Sequence, residues 1–437
     1  MYRLAYEELL SWKNSKNRRP LILEGVRQCG KTYLLRHFGK ENYKNVVYLN
    51  FEGNDELIKI FEPNLDTGRI LSRLAILSRE KIEPGNTLII FDEIQFCSKA
   101  LTSLKYFCED APEYHIACAG SLLGVLMSKP YSFPVGKVDR ISMGPMNFKE
   151  FLLANGEELL VNEMDTLYPA DGSILPFASR LESYLDTFLT IGGMPAAVRS
   201  WIEERDIREV DRIIDGIIKD YEKDFAKHAT ESVQKITHIW NSVPSQLTKE
   251  NKKFMFGHVK ESARARDLED ALDWLINAGL LYKVKLADPS RMPLPLFADN
   301  TYFKLYLADV GIFRRMSGFR SSFESDNSEG FELFKGAISE NYVLNELVSA
   351  NKEAPYFWRS KGTAEVDFVV QYGNKAIPIE VKSGRRTASR SLSEYINKFN
   401  PKVAVIASLD IGDGGIVKKV PLYWLWRLQA IVPDADG

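Results

Sequence analysis

Cysteine is scarce in this 437-residue chain. The four residues at 29, 97, 108 and 118 form no C-x-x-C pair and no Cys/His metal spacing. That excludes a disulfide framework and a zinc-binding reading, and predicts reduced, buried or incidental thiols. Long apolar runs are missing too: none approaches the ~18 residues a membrane helix needs, and the first eight residues lack the apolar stretch of a secretory leader. A cytoplasmic protein without membrane contact is expected. Net charge is nearly absent, since 57 Lys and Arg face 59 Asp and Glu for a formal −2. This excludes a general polyanion-coating role while leaving room for local basic patches. No internal repeat or long low-complexity segment is found. The length exceeds what one core usually serves, so about two to four domains are expected.

What is present is more specific. Gly25-Val26-Arg27-Gln28-Cys29-Gly30-Lys31-Thr32 fills every fixed position of the phosphate-binding loop. The preceding run Leu21-Ile22-Leu23 reads as a buried strand, and residues 33–38 read as a helix ending near Gly39. Gly25 and Gly30 let the backbone curl so that its N–H groups point at phosphates, helped by the positive end of the new helix. Lys31 is placed to reach the β- and γ-phosphates, and the Thr32 hydroxyl to hold Mg²⁺. Residues 25–32 together with Tyr33 are the expected ATP contacts.

A second apolar run, residues 87–91, delivers Asp92 and Glu93 at the carboxyl end of a strand covered on both faces. Asp92 would orient Mg²⁺, and Glu93 would polarise the water that attacks the γ-phosphate. A further strand, residues 114–119, leads into Gly120-Ser121. With residues 46–51 and 138–143 these make five strand-like segments separated by helical ones, predicting a parallel three-layer α/β domain over 1–150.

The pattern is helical over 151–230, interrupted by a Gly192-Gly193-Met194-Pro195 loop. Over 231–315, Leu268, Ala271, Leu272 and Leu275 recur at helical spacing and Gly279 follows as a stop. Residues 280–286 and 302–307 then suggest a β-hairpin. Helices followed by a hairpin suggest a winged-helix module, placing Arg264 and Arg266 near nucleic acid. Residues 249–266 carry a local excess of four positive charges. A solvated helix face accounts for that excess equally well, and winged helices also serve as protein contacts.

Residues 330–437 give the order helix, strand, strand, strand, helix, strand. The first helix, 331–350, contains Glu340, and the strands span 356–359, 364–371 and 376–382. Alternation puts Glu365 and Asp367 on one face opposite Val366, Phe368 and Val370, and puts Glu380 and Lys382 on one face. If the two strands pair, Asp367, Glu380 and Lys382 converge, with Glu340 reaching them from the helix. Two carboxylates ~4 Å apart repel by roughly 4 kcal/mol at an effective dielectric near ~20. One lysine cannot cancel three acids, so a divalent cation held by Asp367 and Glu380 is expected. Lys382 would steady the developing phosphorane charge and Glu340 would assist, giving phosphodiester hydrolysis. The alternative for residues 376–382 is the wet face of a half-exposed strand.

Together, residues 25–32, Phe91-Asp92-Glu93, Ala119-Gly120-Ser121, residues 148–151, Gly192-Gly193-Met194-Pro195, Asp309-Val310-Gly311, Glu365-Val366-Asp367-Phe368 and Ile379-Glu380-Val381-Lys382-Ser383 resemble a known family. It comprises bacterial and archaeal AAA-type ATPases with a C-terminal domain of unknown function similar to PD-(D/E)xK restriction endonucleases. The resemblance implies an α/β fold, ATP binding and hydrolysis, a sensor role for Ser121, and a nuclease-like C-terminal fold. The family commonly shows Gly-Arg where this chain has Gly136-Lys137, so the trans-acting arginine stays unassigned, with Arg140 close by. The expected function is an Mg²⁺-dependent ATPase acting on or near DNA, with a homo-oligomer left open. Two alternatives stand: a nucleotide-controlled switch whose C-terminal domain only binds a partner, and a protein-remodelling ATPase.

Overall fold

A computed structural model of the chain describes residues 1–120, 134–228, 232–260, 264–319, 329–385 and 388–431. It divides into two compact units, one of Tyr2–Gly144 with Asn277–Gly279, the other of Pro145–Ile276 with Leu280 onward.

The first unit alternates helix and strand: α1 (Ala5–Asn14), β1 (Leu21–Glu24), α2 (Lys31–Asn42), β2 (Asn45–Asn50), α3 (Asp55–Ile60), α4 (Thr67–Ser78), β3 (Thr87–Asp92), α5 (Ser98–Asp110), β4 (His115–Ala119) and β5 (Asp139–Ser142). The strands form one sheet in the order β2-β3-β4-β1-β5, and every pairing is parallel. Parallel strands need helical crossovers that cover both faces, and accordingly every residue of β3 and β4 is buried. The core is closed by Phe51, Phe61 and Phe91, whose ring centroids lie 5.5–5.9 Å apart. Because β4 slots between β1 and β3, the carboxyl ends of all three strands line one crevice, where open α/β sheets hold ligands.

The second unit begins with helices: α6 (Phe148–Ala154), α7 (Glu158–Thr166), α8 (Ala178–Ile191), α9 (Pro195–Glu204), α10 (Ile207–His228), α11 (Val233–Leu247) and α12 (Ala265–Asn277). There follow β6 (Leu281–Ala287), β7 (Ala298–Leu307), α13 (Val310–Met316), α14 (Glu329–Asn351), β8 (Tyr356–Arg359), β9 (Glu365–Tyr372), β10 (Lys375–Val381), α15 (Arg390–Phe399), β11 (Ala404–Ser408), β12 (Gly412–Gly414) and β13 (Val417–Pro421). One eight-stranded sheet runs β12-β13-β11-β10-β9-β8-β6-β7. β8, β9 and β10 are antiparallel neighbours, and β11 returns parallel to β10 after the α15 crossover.

The hairpin expected as a wing does form, with Leu281 opposite Leu307, but it is not a free wing. β6 pairs in parallel with β8, so the hairpin is the rim of the C-terminal sheet. The wet-face alternative for residues 376–382 also fails, because Ile377 through Glu380 are all buried.

Two glycine motifs explain each other. Gly192 ends α8 in the left-handed region, and a Cβ on it would lie 2.4 Å from an Asp309 carboxylate oxygen. Asp309 accepts the Gly193 amide at 2.6 Å and caps α13 through the Ile312 amide at 2.9 Å. A Cβ on Gly193 would fall 2.0 Å from the Met146 carbonyl, and one on Gly311 would fall 2.4 Å from the Ile191 carbonyl. At Gly193 and Gly311 the seam is backbone against backbone. Gly193→Ala should therefore destabilise this unit by about 3 kcal/mol, read as a lowered urea midpoint. An unchanged midpoint would show that the seam relaxes freely.

Candidate functional site

The phosphate loop is built by steric exclusion. Gly25 takes φ +147°, and a Cβ there would stand 1.9 Å from the Met143 carbonyl oxygen, so only glycine lets the loop lie this close to the chain after β5. The Met143 amide bonds the Glu24 carbonyl at 2.9 Å, and the buried Cys29 thiol donates to the Met143 carbonyl at 3.3 Å. Arg3 clamps the other side, donating to the Cys29 carbonyl at 2.6 Å and the Gly144 carbonyl at 2.7 Å. Gln28 is left-handed, and Gly30, at φ +95°, caps α2 without a side-chain bond. The opening amides of α2 thus face the loop.

Lys31 is buried, and its ammonium donates to the Gly25 and Val26 carbonyls, both at 2.8 Å. The Thr32 hydroxyl meets Asp92 at 3.0 and 3.2 Å, so the loop and the end of β3 converge as the two motifs required. Tyr48, on β2 beside β3, donates to Asp92 at 2.6 Å. Burial and this bond hold the Tyr48 hydroxyl well above its usual range. Sequence reasoning missed Tyr48. Its only trace was position, since Asn50 pairs with Asp92 and Tyr48 stands two residues earlier. Glu93 sits at φ +49° and accepts the Gln95 side-chain amide. A non-glycine residue held there is the kind of local strain that clusters at functional positions. Ser121 lies outside the described residues. Lys137 pairs with Glu109 at 2.8 Å, and Arg140 reaches Glu24 at 3.5 Å.

The C-terminal residues converge as well. The β9–β10 ladder pairs Phe368 with Ile379, which sets Asp367 and Glu380 at its end, and the Val381 amide donates to Asp367 at 2.8 Å. Glu380 is only 5% exposed. One of its oxygens takes the Lys382 ammonium at 2.7 Å, and the other is buried without a partner. Glu340 is buried on α14, where it accepts from Lys252, from Tyr306 and, at 3.3 Å, from Lys304. Lys304 also bonds Glu365 at 2.7 Å.

This corrects the expected charge balance. Lys252 and Lys304 join Lys382 against the acids, so the excess that called for a divalent cation is largely met by side chains. Among the described residues no group of three or more His, Cys, Asp or Glu is arranged to hold a metal. Burial disfavours the Glu340 charge, yet Lys252 and Lys304 overcome it and hold the group down to about 2. For Asp367, burial and then Glu340 and Glu380 push the carboxyl up to about 8. Lys252, one of the six basic residues of 249–266, is therefore drawn inward. Lys253 lies over the Tyr302 ring at 4.1 Å, and Arg266 stands 3.7 Å from Asp267.

Three family models match. Residues 17–152 match the AAA domain, 182–322 a domain of unknown function (DUF8612), and 335–415 another domain of unknown function (DUF4143). An uncharacterized protein of Haemophilus influenzae is 27% identical over 362 residues, which cover 77% of this chain and 79% of that one. Among solved structures, a Walker-type ATPase of Pyrococcus abyssi aligns at 15% identity and TM-score 0.45, covering 71% of this chain and 95% of that one. The Aeropyrum pernix Orc1 protein in complex with DNA aligns at 14% identity and TM-score 0.26, covering 72% and 90%. Residues 17–152 thus match an AAA domain and carry its phosphate-binding loop, and among the described residues no helix is long and apolar enough to cross a membrane.

The raised Asp367 carboxyl makes a stability prediction. Its folded pKa lies above the unfolded value, so its contribution is complete below about pH 4 and is lost as pH rises toward 8. Glu340 has the opposite sign, its contribution being lost as pH falls from about 4.5 toward 2. Asp367→Asn keeps an acceptor for the Val381 amide and removes the ionisation. Relative to wild type it should gain more than about 1 kcal/mol between pH 5 and 9, by urea unfolding. Parallel pH profiles would place Asp367 in water.

Proposed function

We propose that the AAA-type domain binds ATP with Mg²⁺ and hydrolyses it in the crevice above β1, β3 and β4. The observation that carries this reading is the meeting of the Thr32 hydroxyl with the Asp92 carboxylate beside the Lys31 ammonium, within the Gly25–Thr32 loop. Loop amides and the N-terminus of α2 would receive the phosphate oxygens, and Lys31, already held at the loop, would exchange its carbonyl partners for the β- and γ-phosphates. Thr32 and Asp92 present hard oxygen donors that would hold Mg²⁺, which would supply positive charge to offset that of the phosphates.

Glu93 takes the water proton as the water oxygen bonds the γ-phosphorus, and the bond to the β–γ bridging oxygen breaks to leave ADP and phosphate. The Gln95 amide holds Glu93 in place for this. Ser121 remains the proposed sensor of the γ-phosphate. Glu93→Gln should slow turnover by roughly 10² or more while ATP binding persists, measured by phosphate release and by calorimetry. Normal turnover in that variant would remove Glu93 from the role.

A second reading concerns the C-terminal sheet, a metal-dependent nuclease acting on DNA. It is supported by the αβββαβ order, by the convergence of Asp367, Glu380 and Lys382, and by the unpartnered buried Glu380 oxygen. Asp367 and Glu380 would hold Mg²⁺ or Mn²⁺ and Lys382 would face the scissile phosphate. The Lys252 and Lys304 pairing favours instead a binding module under nucleotide control. Mn²⁺ titration of the full chain decides between them. Metal binding and DNA cleavage that both vanish in Asp367→Ala support the nuclease, and no Mn²⁺ uptake supports the module.

A further inference from the structure

The first turn of α2 carries an aromatic ladder that neither the core nor the phosphate chemistry uses. Leu34, Leu35 and Phe38 face the core, whereas Tyr33, next after the loop, is 59% exposed. Its ring stacks on that of His37, with centroids 6.0 Å apart and planes 19° from parallel. The two are four residues apart and so share one helix face. His37 in turn lies 6.0 Å from Tyr6 of α1. Tyr6 is fixed by edge-on packing against Phe38 at 5.4 Å and by a 2.8 Å bond from the Asn42 amide to its hydroxyl. The outer ring is thus backed by two others and anchored to a second helix.

We propose that Tyr33, backed by His37, is the platform on which the base of the bound nucleotide stacks. This rests on ATP occupying the loop. Its triphosphate would end at the opening amides of α2, so the ribose and base leave the loop beside that same turn, where Tyr33 is the first large exposed side chain. A tyrosine ring offers an apolar face at small entropic cost, and the His37 ring beneath keeps it from turning away. Stacking needs a π-face and no particular hydrogen-bond pattern, so this contact supplies affinity for the base and none for the phosphates.

The full-length protein tests this by calorimetry with ATP and with inorganic tripolyphosphate, each in Mg²⁺ buffer. Tyr33→Ala should weaken ATP by about tenfold, within a range of roughly 5- to 100-fold, and leave tripolyphosphate unchanged. Tyr33→Phe should keep both affinities. ATP affinity unchanged in Tyr33→Ala overturns the platform, as does an equal loss of tripolyphosphate, which would mean damage to the helix start. Lys31→Ala should lose both ligands. Wild-type protein that binds neither ligand would overturn the loop reading itself, a result distinct from a failure of Tyr33.

Discussion

A buried carboxylate has to be met by something, and the ways in which this chain meets its buried acids organise both of its units. Asp92 is met by hydroxyls, from Thr32 and Tyr48, which draw the phosphate loop and β2 toward the end of β3. Glu340 is met by cations, Lys252 and Lys304, together with the Tyr306 hydroxyl. Asp309 is met by the backbone amides of Gly193 and Ile312, although burial still pushes it to about 6. Asp367 is met by one amide, and burial pushes its carboxyl up to about 8. Glu346 is buried against the Phe148 amide at 2.8 Å, and burial pushes it to about 8. The first arrangement leaves two hard oxygen donors, on Thr32 and Asp92, beside a loop of open amides.

Glycine does related work by letting backbone approach backbone. At Gly25 the neighbour is a carbonyl on the strand-end segment after β5, so the loop's curvature is fixed from outside as well as by its own left-handed residues. At Gly192, Gly193 and Gly311 the neighbours are Asp309 and the carbonyls of Met146 and Ile191. Carbonyl oxygens cannot rotate away as a side chain would, which makes such contacts unforgiving and geometrically exact to a few tenths of an ångström. In the second unit this holds α13 against the end of α8, and the same carbonyl-bearing residue, Met146, donates its amide to Gly193 at 2.7 Å.

Much of the first unit was legible in the sequence, because the signals there are local. The strand Leu21–Glu24, the loop and the helix from Lys31 are contiguous, and β3 carries its acids at its own end. Tyr48 was not legible, since its role depends on β2 pairing with β3 and nothing within residues 45–50 records that pairing. In the second unit the strands β9 and β10 were readable from alternation, and the convergence of Asp367 with Glu380 followed from pairing neighbours in sequence. The Gly-Gly-Met-Pro loop was visible as a loop only. Its contact with Asp309 spans 116 positions of sequence, and no periodicity carries information across such a gap.

The charge balance around Glu340 failed to show for the same reason, and the failure is instructive. Counting Glu340, Asp367 and Glu380 against Lys382 alone finds acids in excess, because two further neutralising lysines lie earlier in the chain, at 252 and 304. Lys304 reaches Glu340 because the β6–β7 hairpin joins the sheet through β8, carrying Lys304 and Tyr306 to α14. Removing one partner of a buried ion pair costs about 3–5 kcal/mol, so the C-terminal αβββαβ core depends on residues that lie outside it in sequence. The family models separate at 322 and 335, yet the electrostatic unit runs straight through that boundary. A hairpin that looks like a wing when read alone is therefore part of the site, and the basic segment before it divides: Lys252 serves the interior, while Lys253, one residue on, lies over the Tyr302 ring.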